Sequence, residues 1–289
     1  MTLDVKKATN VAQETQLKLK DLREKFVIHQ AASQFFSSIE LRLIHKRSDY
    51  KAVLLSGDAG SGKKSILSWL LRRHNRFHSS ELNVTVWPVV TIELPLVLSE
   101  KSLAENLFNA IQEDPRSDRR DQHAINLEQV AQFWRSFGVR FLVIVDFSDI
   151  LSEMRSRQLL LWKIIQKFKT LCGIDLILFW DSSSSEITKI DNIIRKDCFE
   201  VDLKPLVLDA LRGFLYRVEA ELCCPGIHIH TDLLWRITGG RIGDVMRRIK
   251  YAVAIASLAN RHFIRADDLE APARSINAWI RPSGNDCHD

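Results

Sequence analysis

The sequence predicts an α/β body built on a mainly parallel sheet, followed by an all-helical C-terminal piece. Three observations carry this reading. From Ala52 to Leu203, short apolar runs alternate with segments of helical periodicity. That is the pattern of strands joined by helical crossovers and buried on both faces. A glycine-rich stretch, Gly57 to Gly62, stands between the first such run and the helix after it. Beyond Pro205 the apolar residues keep helical spacing and no further strong strand occurs. A chain of 289 residues has room for about two domains of ordinary size.

In order along the chain, residues 1–25 are polar, with Leu17, Leu19 and Leu22 too sparse for a helical face, and read as a loosely attached arm. From Phe26 to Arg47, Phe35, Ile39 and Leu43 recur at helical spacing. Ala52–Leu55 is a buried strand running into Ser56 and Gly57, and Lys63–His74 is a helix. Val84–Leu94 is one β-branched stretch interrupted by Pro88. Leu103–Gln112 and Leu127–Phe137 read as helices separated by a charged connection, Glu113–Asn126. Phe141–Val145 is a strand, Arg157–Leu171 a helix, Asp175–Trp180 a strand, and Phe199–Leu203 the last apolar run of the body. Val207–Cys223, Asp232–Thr238, Gly243–Ala259 and Ala266–Ala271 are helical, with His228-Ile229-His230 an exposed β-bridge between them. The expected organisation is an arm over 1–25, an α/β body over 26–205, a helical lid over 206–275 and a tail over 276–289.

A composition of 46% hydrophobic and 27% charged residues excludes a disordered tail protein, a collagen-like repeat and a small disulfide scaffold. No apolar run approaches the ~18–20 residues that span a bilayer, and the first twenty residues lack a hydrophobic signal core. No membrane partner is expected, and the expected location is the cytoplasm. Cys172, Cys198, Cys223, Cys224 and Cys287 show no metal-type spacing, which points to reduced thiols. A net charge of +5 favours a polyanionic partner without identifying it. The cations gather in local clusters, at Arg72-Arg73, at Arg116, Arg119 and Arg120, and at Arg247-Arg248 with Lys250.

The sharpest motif is Gly57-Asp58-Ala59-Gly60-Ser61-Gly62-Lys63-Lys64, which follows the phosphate-loop pattern G-x-x-x-x-G-K-[ST] up to its last position, between a strand and a helix. Its glycines let the backbone fold N–H groups around phosphates. The following helix start adds its positive dipole end, and Lys63 adds a point charge. The nucleotide-binding candidates read from it are Gly57, Asp58, Ala59, Gly60, Ser61, Gly62, Lys63, Lys64 and Ser65. Lys64 stands where a hydroxyl normally ligates magnesium, and Ser65 is turned away by ~100° of helix. Phe141–Val145 ends in Asp146, the carboxylate expected to face a metal and its water shell. The next position, usually the Glu that polarises the attacking water, is Phe147. General-base assistance is worth about 10²–10⁴-fold in rate, and a phenyl ring supplies none. The expected cofactor is ATP or ADP, with weakened Mg²⁺ binding and weak or lost hydrolysis.

With these elements in this order, the chain resembles the TniB/TnsC-like AAA+ ATPases of transposition systems from about Phe26 to Leu269. The resemblance rests on Phe26-Val27-Ile28-His29 before the first helix, on Phe141–Leu151, on Gly173–Ser182 and on Gly239-Gly240-Arg241-Ile242-Gly243-Asp244. It implies an AAA+ P-loop NTPase fold with a helical lid. It implies that Arg241 is the lid arginine reaching the γ-phosphate, that Asp181 or Ser182 occupies the polar sensor position, and that Arg195 or Lys196 lies near the trans-acting arginine. It further implies nucleotide-driven assembly into a ring or filament, with itself or with a paralogue, on double-stranded DNA. The partners would be a transposase or integrase and a target-selection protein, in a bacterial cytoplasm and at the nucleoid during action. Lys64, Phe147, Asp181 and the displaced Arg195 depart from the family at positions concerned with hydrolysis, while Gly57–Lys63, Asp146 and Arg241 persist. Arg116, Arg119 and Arg120, set among Asp114, Asp118 and Asp121, are the candidate DNA surface. The alternative is a non-enzymatic AAA+ scaffold paired with an active paralogue or partner protein. An active initiator or helicase-loader ATPase is disfavoured by Phe147.

Overall fold

The computed structural model describes residues 30–45, 50–80, 84–94, 99–111, 126–147, 155–182, 192–222, 226–259, 261 and 263–270. They form two compact units. The first comprises Gln30–Ala59 and Lys63–Leu203. The second comprises Gly60–Gly62 together with the described residues from Lys204 onward. The arm over 1–25, the tail over 276–289 and Arg116, Arg119 and Arg120 lie outside the described residues.

In the first unit the helices are α1 (Gln30–His45), α2 (Lys63–Arg73), α3 (Glu100–Asn109), α4 (Leu127–Ser136), α5 (Arg155–Cys172) and α6 (Asn192–Lys196). The strands are β1 (Ala52–Gly57), β2 (Phe77–Ser79), β3 (Val84–Val86), β4 (Val89–Glu93), β5 (Phe141–Val145), β6 (Asp175–Asp181) and β7 (Cys198–Asp202). Five of them make a sheet in the order β4-β5-β6-β1-β7, every neighbouring pair parallel. All six residues of β1 are buried, as a central parallel strand covered on both faces requires. Alternate residues Leu54, Leu142, Ile144, Leu176, Leu178 and Trp180 join one core cluster with Leu107, Trp134 and Phe168. Trp134 is fully buried, meets Phe168 edge-on at 5.1 Å and donates its indole N–H to the Leu107 carbonyl at 3.0 Å. That bond removes the penalty of burying the indole's one polar group.

Two elements depart from the periodicity reading. The stretch Val84–Leu94 is two strands, because Pro88 has no N–H to give to a ladder. Val84–Val86 pairs antiparallel with Phe77–Ser79 in a separate two-stranded ribbon, while Val89–Glu93 joins the main sheet. The Pro88 carbonyl instead accepts from the N–H groups of Arg140 and Phe141. Helix α3 starts at Glu100, ahead of its first apolar residue, because Ser99 and Ser102 form a reciprocal capping box. Asn126 and Gln129 cap α4 in the same way.

The second unit holds α7 (Leu208–Leu222), a 3₁₀ turn (Ile227–His230), α8 (Thr231–Thr238), α9 (Ile242–Leu258) and α10 (Ala266–Glu270). Its core joins Leu211, Phe214, Leu215 and Val218 of α7 to Leu234, Val245, Ile249 and Ala252. The expected β-bridge at His228-Ile229-His230 is this 3₁₀ turn. The His228 ring stacks on Tyr216 at 4.4 Å, its Nδ1 lies 2.8 Å from a Glu219 carboxylate oxygen, and His230 meets the Ile264 carbonyl. Local side-chain partners set the backbone there. A bidentate pair between Arg261 and the buried Asp268 fastens α10 to the end of α9. Burial raises the Asp268 pKa, but the Arg261 guanidinium and the Arg265 N–H together outweigh it and hold the carboxyl below the usual range.

Candidate functional site

The candidate site stands at the carboxyl ends of β1, β6 and β5. β1 ends at Gly57, which pairs in register with Asp181 at the end of β6. The turn that follows carries Gly60 at φ +81° and Gly62 at φ +101°, backbone settings that a side chain would strain. The next helix, α2, begins at Lys63, so its first N–H groups open toward the loop. The pattern's demand for glycine is thus a demand on backbone angles.

Lys63 folds back over this turn. Its ammonium donates to the Gly57 carbonyl and, at 3.0 Å, to the Asp58 carbonyl, and it lies 3.9 Å from the Asp181 carboxylate. Burial lowers its pKa below the ordinary lysine value, against the opposing charges of Asp181, Asp58 and Asp146. The Ser182 hydroxyl donates to the Asp58 carboxylate at 2.7 Å, and the Ser182 N–H donates to the Gly57 carbonyl. Asp181 and Ser182, both candidates for the sensor position, therefore meet the loop's first turn. One contacts its lysine and the other its aspartate.

Ser61 is 4% exposed, and its hydroxyl oxygen is buried with no hydrogen-bond partner among the described residues. An orphan hydroxyl in a glycine-rich turn at a helix start suits a phosphate oxygen. Lys64 and Ser65 are both exposed at the start of α2. Asp146 is exposed too, and it is the one non-glycine residue with positive φ, at 54°, among those described. That turn sends the next side chain inward. Phe147 is 1% exposed and packs near Trp162 and Trp180, ring centroids 6.3 and 6.5 Å away. The side chain at position 147 belongs to the core. For a magnesium ion the loop offers Asp146 and Asp58 carboxylates but no hydroxyl at position 64, so the residues fit a nucleotide's phosphates better than they fit its metal. Among the described residues, no cluster of three or more His, Cys, Asp or Glu side chains could hold a metal ion by itself.

Within the second unit, the tip of the loop meets α9. The Gly60 carbonyl accepts from the Asp244 N–H at 3.2 Å. A Cβ on Gly243 would lie 2.6 Å from that same carbonyl, so only glycine permits the approach. Arg241 precedes α9 and donates to the Thr238 carbonyl, with its guanidinium 3.0 Å from the Asp244 carboxylate. Arg247 reaches the same carboxylate at 3.3 Å. Arg195 is held bidentately by Glu200, both contacts at 3.0 Å, which raises its already high pKa. The site residues sequence reasoning missed are Asp244 and Glu200, the carboxylates that hold these arginines. Spacing alone marks them, three residues after Arg241 and five after Arg195.

A cavity of about 150 Å³ opens beside β1, lined by Ser56, Trp180, Ser182, Arg195, Glu200 and Asp202. The Ser56 hydroxyl faces it and bonds Asp202 at 3.2 Å.

The family model of the bacterial TniB protein matches residues 18–197. No curated protein matches the chain. Among solved structures, the Walker-type ATPase PABY2304 of Pyrococcus abyssi is 15% identical with a TM-score of 0.52, the match covering 89% of this chain and 73% of that one. The Aeropyrum pernix ORC2 protein, solved with ADPNP and ADP, is 13% identical with a TM-score of 0.57, covering 85% and 67%. The Aeropyrum pernix ORC1 protein, solved in complex with DNA, is 16% identical with a TM-score of 0.53, covering 88% and 66%. At these identities the likeness is one of fold, and the fold is that of the AAA+ P-loop ATPases.

Proposed function

This chain belongs to the bacterial TniB family, and from that premise we propose that it is an ATP-binding AAA+ regulator of DNA transposition in which hydrolysis is weak or lost. The observation that carries the reading is the contrast between a complete phosphate-gripping turn and a Phe147 side chain buried at 1% exposure beside it. Lys63 would exchange the carbonyls of Gly57 and Asp58 for phosphate oxygens, the Ser61 hydroxyl would take another, and Asp146 would face the metal's water shell. Lys64, exposed at the helix start, would add a second positive charge. Bound ATP would supply phosphate charge for a basic residue of a neighbouring subunit to meet, the basis proposed for a ring or filament. Arg241 and Arg195 are the arginines proposed to reach it, each by leaving the carboxylate that now holds it. Double-stranded DNA is the proposed polymer on which the assembly forms. A transposase or integrase and a target-selection protein are the proposed clients. Among the described residues, no helix is long and apolar enough to cross a membrane; the proposed place of action is the bacterial cytoplasm.

Fluorescent-nucleotide titration run beside phosphate release tests the core of this reading. Saturable binding with turnover far below that of ordinary AAA+ ATPases is expected. Fast turnover abolished by Lys63→Ala would overturn the claim of weak hydrolysis. A second reading, a scaffold that joins an active paralogue, is favoured by the Asp181 carboxylate 3.9 Å from Lys63, a protein anion that competes with phosphate for that lysine's charge. ATP-independent assembly on DNA by a chain that binds no nucleotide would select it.

A further inference from the structure

The amino ends of β4 and β5 lie at the opposite end of the sheet from the phosphate loop. β5 alone separates Arg140 from Asp146 by about 20 Å of extended chain. α2 likewise carries Arg72 and Arg73 about 15 Å away from Lys63. At that far end the contacts run in an unbroken series. The His74 ring lies 5.9 Å from Phe141, and burial lowers its pKa with the help of the nearby charges of Arg73 and Arg140. Arg140 donates its N–H to the Pro88 carbonyl, and the neighbouring Trp87 ring carries the Arg76 guanidinium 4.1 Å above it. Arg76 leads directly into the β2–β3 ribbon, whose Phe77 is 54% exposed.

We propose that this face, made by Arg72, Arg73, Arg76 and Arg140 with the ribbon's Phe77 and His78, docks the phosphate backbone of duplex DNA. All six side chains are exposed. The acidic groups brought to it by the contacts described are Glu40 on α1, which opposes the arginines at His74, and Asp175, whose N–H donates to the Arg140 carbonyl. Among the described residues, cations therefore outnumber carboxylates there. Guanidinium groups match phosphate oxygens in a two-pronged geometry that ammonium groups do not. A short two-stranded ribbon with an exposed aromatic at its base, where Phe77 pairs with Val86, suits a groove edge or sugar face. Such contacts fix the protein on the duplex without reading sequence. The inference rests on the DNA partner proposed above and gives it candidate residues other than Arg116, Arg119 and Arg120. Its position at the strand ends opposite the loop leaves the nucleotide turn free while DNA is held.

The test is fluorescence anisotropy of a labelled 30-bp duplex, and of one of its strands alone, with the full-length chain across a salt series. The variants are Arg73→Gln with Arg140→Gln, and His78→Glu as an independent probe on the ribbon. The glutamine pair should weaken duplex binding at least ~10-fold and lower the log–log salt slope by ~1.8, about 0.9 for each phosphate that is no longer neutralised. His78→Glu should weaken it in the same direction, and fluorescent-nucleotide binding should stay at the parent value in both. If the parent binds no duplex, the DNA partner itself falls, and this surface with it. Unchanged slopes in both variants beside a parent that binds overturn the surface alone. A single strand bound more tightly than the duplex overturns the assignment to duplex DNA.

Discussion

The turns after β1 and β5 stand at the same edge of one parallel sheet with only β6 between them, yet they treat the family pattern in opposite ways. The turn after β1 keeps what the pattern demands of the backbone, with Gly60 and Gly62 at positive φ and a helix starting at Lys63. The turn after β5 keeps its carboxylate, Asp146, and abandons the next side chain to the core. Phosphate gripping is spread over several N–H groups, so no single replacement removes it. Water polarisation rests on one side chain, and burying a phenyl ring in its place stabilises the fold by about 1.5–3 kcal/mol. The left-handed backbone at Asp146, φ 54°, offsets part of that gain. On the proposed reading, the site loses its chemistry and gains stability at one position while its binding half stays whole.

The strongest way to break this comparison is Phe147→Glu. If the phenyl ring anchors the core between Trp162 and Trp180, the substitution removes that packing and buries a carboxylate. It should cost about 3–5 kcal/mol and lower Tm by about 10 °C, read by thermal denaturation, with no gain in phosphate release. A stable variant that hydrolyses ATP would show that position 147 still faces the site.

Lys63→Ala probes the binding half. Loss of a charged hydrogen-bonding group to phosphate should cost about 2 kcal/mol, a ~30-fold weaker nucleotide Kd by titration. The same group sets the pH dependence. Its folded pKa lies below the ordinary 10.5, chiefly through burial, so holding it charged costs stability below that lowered value. The cost disappears as pH rises toward 10.5, while nucleotide affinity declines over the same interval because the neutral amine no longer attracts phosphate. An affinity flat through pH 10 would place the phosphates away from Lys63.

Asp181→Asn sharpens the comparison by removing the carboxylate 3.9 Å from that lysine. A partly exposed pair of this kind is worth up to about 1 kcal/mol, so nucleotide should bind ~5-fold tighter. Weaker binding instead would make Asp181 a ligand-side residue. The smallest effect expected is from Asp146→Gly. Relief of the positive φ should raise Tm by about 1–2 °C, and a fall in Tm would mean the Asp146 side chain itself supports the turn.

The sheet was legible because β1, β5 and β6 are continuous apolar runs that only a doubly covered strand tolerates. The phosphate loop was legible because glycine positions report backbone angles directly. The β2–β3 ribbon was not, since Phe77–Ser79 has no distinguishing alternation and Val84–Leu94 reads as one run until the Pro88 carbonyl is seen to bond elsewhere. The inward course of Phe147 depends on Trp162 and Trp180, remote in sequence. At the His228 turn the decisive partners, Tyr216 and Glu219, lie on another helix. Periodicity records which face a residue takes within its own element. It says nothing about partners from elsewhere.

Lys63 lies in the field of three carboxylates, Asp58, Asp146 and Asp181. In the language of an ion-exchange resin, this lysine is a fixed cation already loaded with protein anions. An incoming phosphate competes with their field, so its affinity is a selectivity between anions for one cation. Because the carboxylates already neutralise part of the lysine's charge, fewer solvent ions are released than at a bare lysine, and binding at this turn should vary little with salt. Nucleotide loading and attachment to a polyanion would then respond differently to ionic strength, and salt could empty the second without emptying the first.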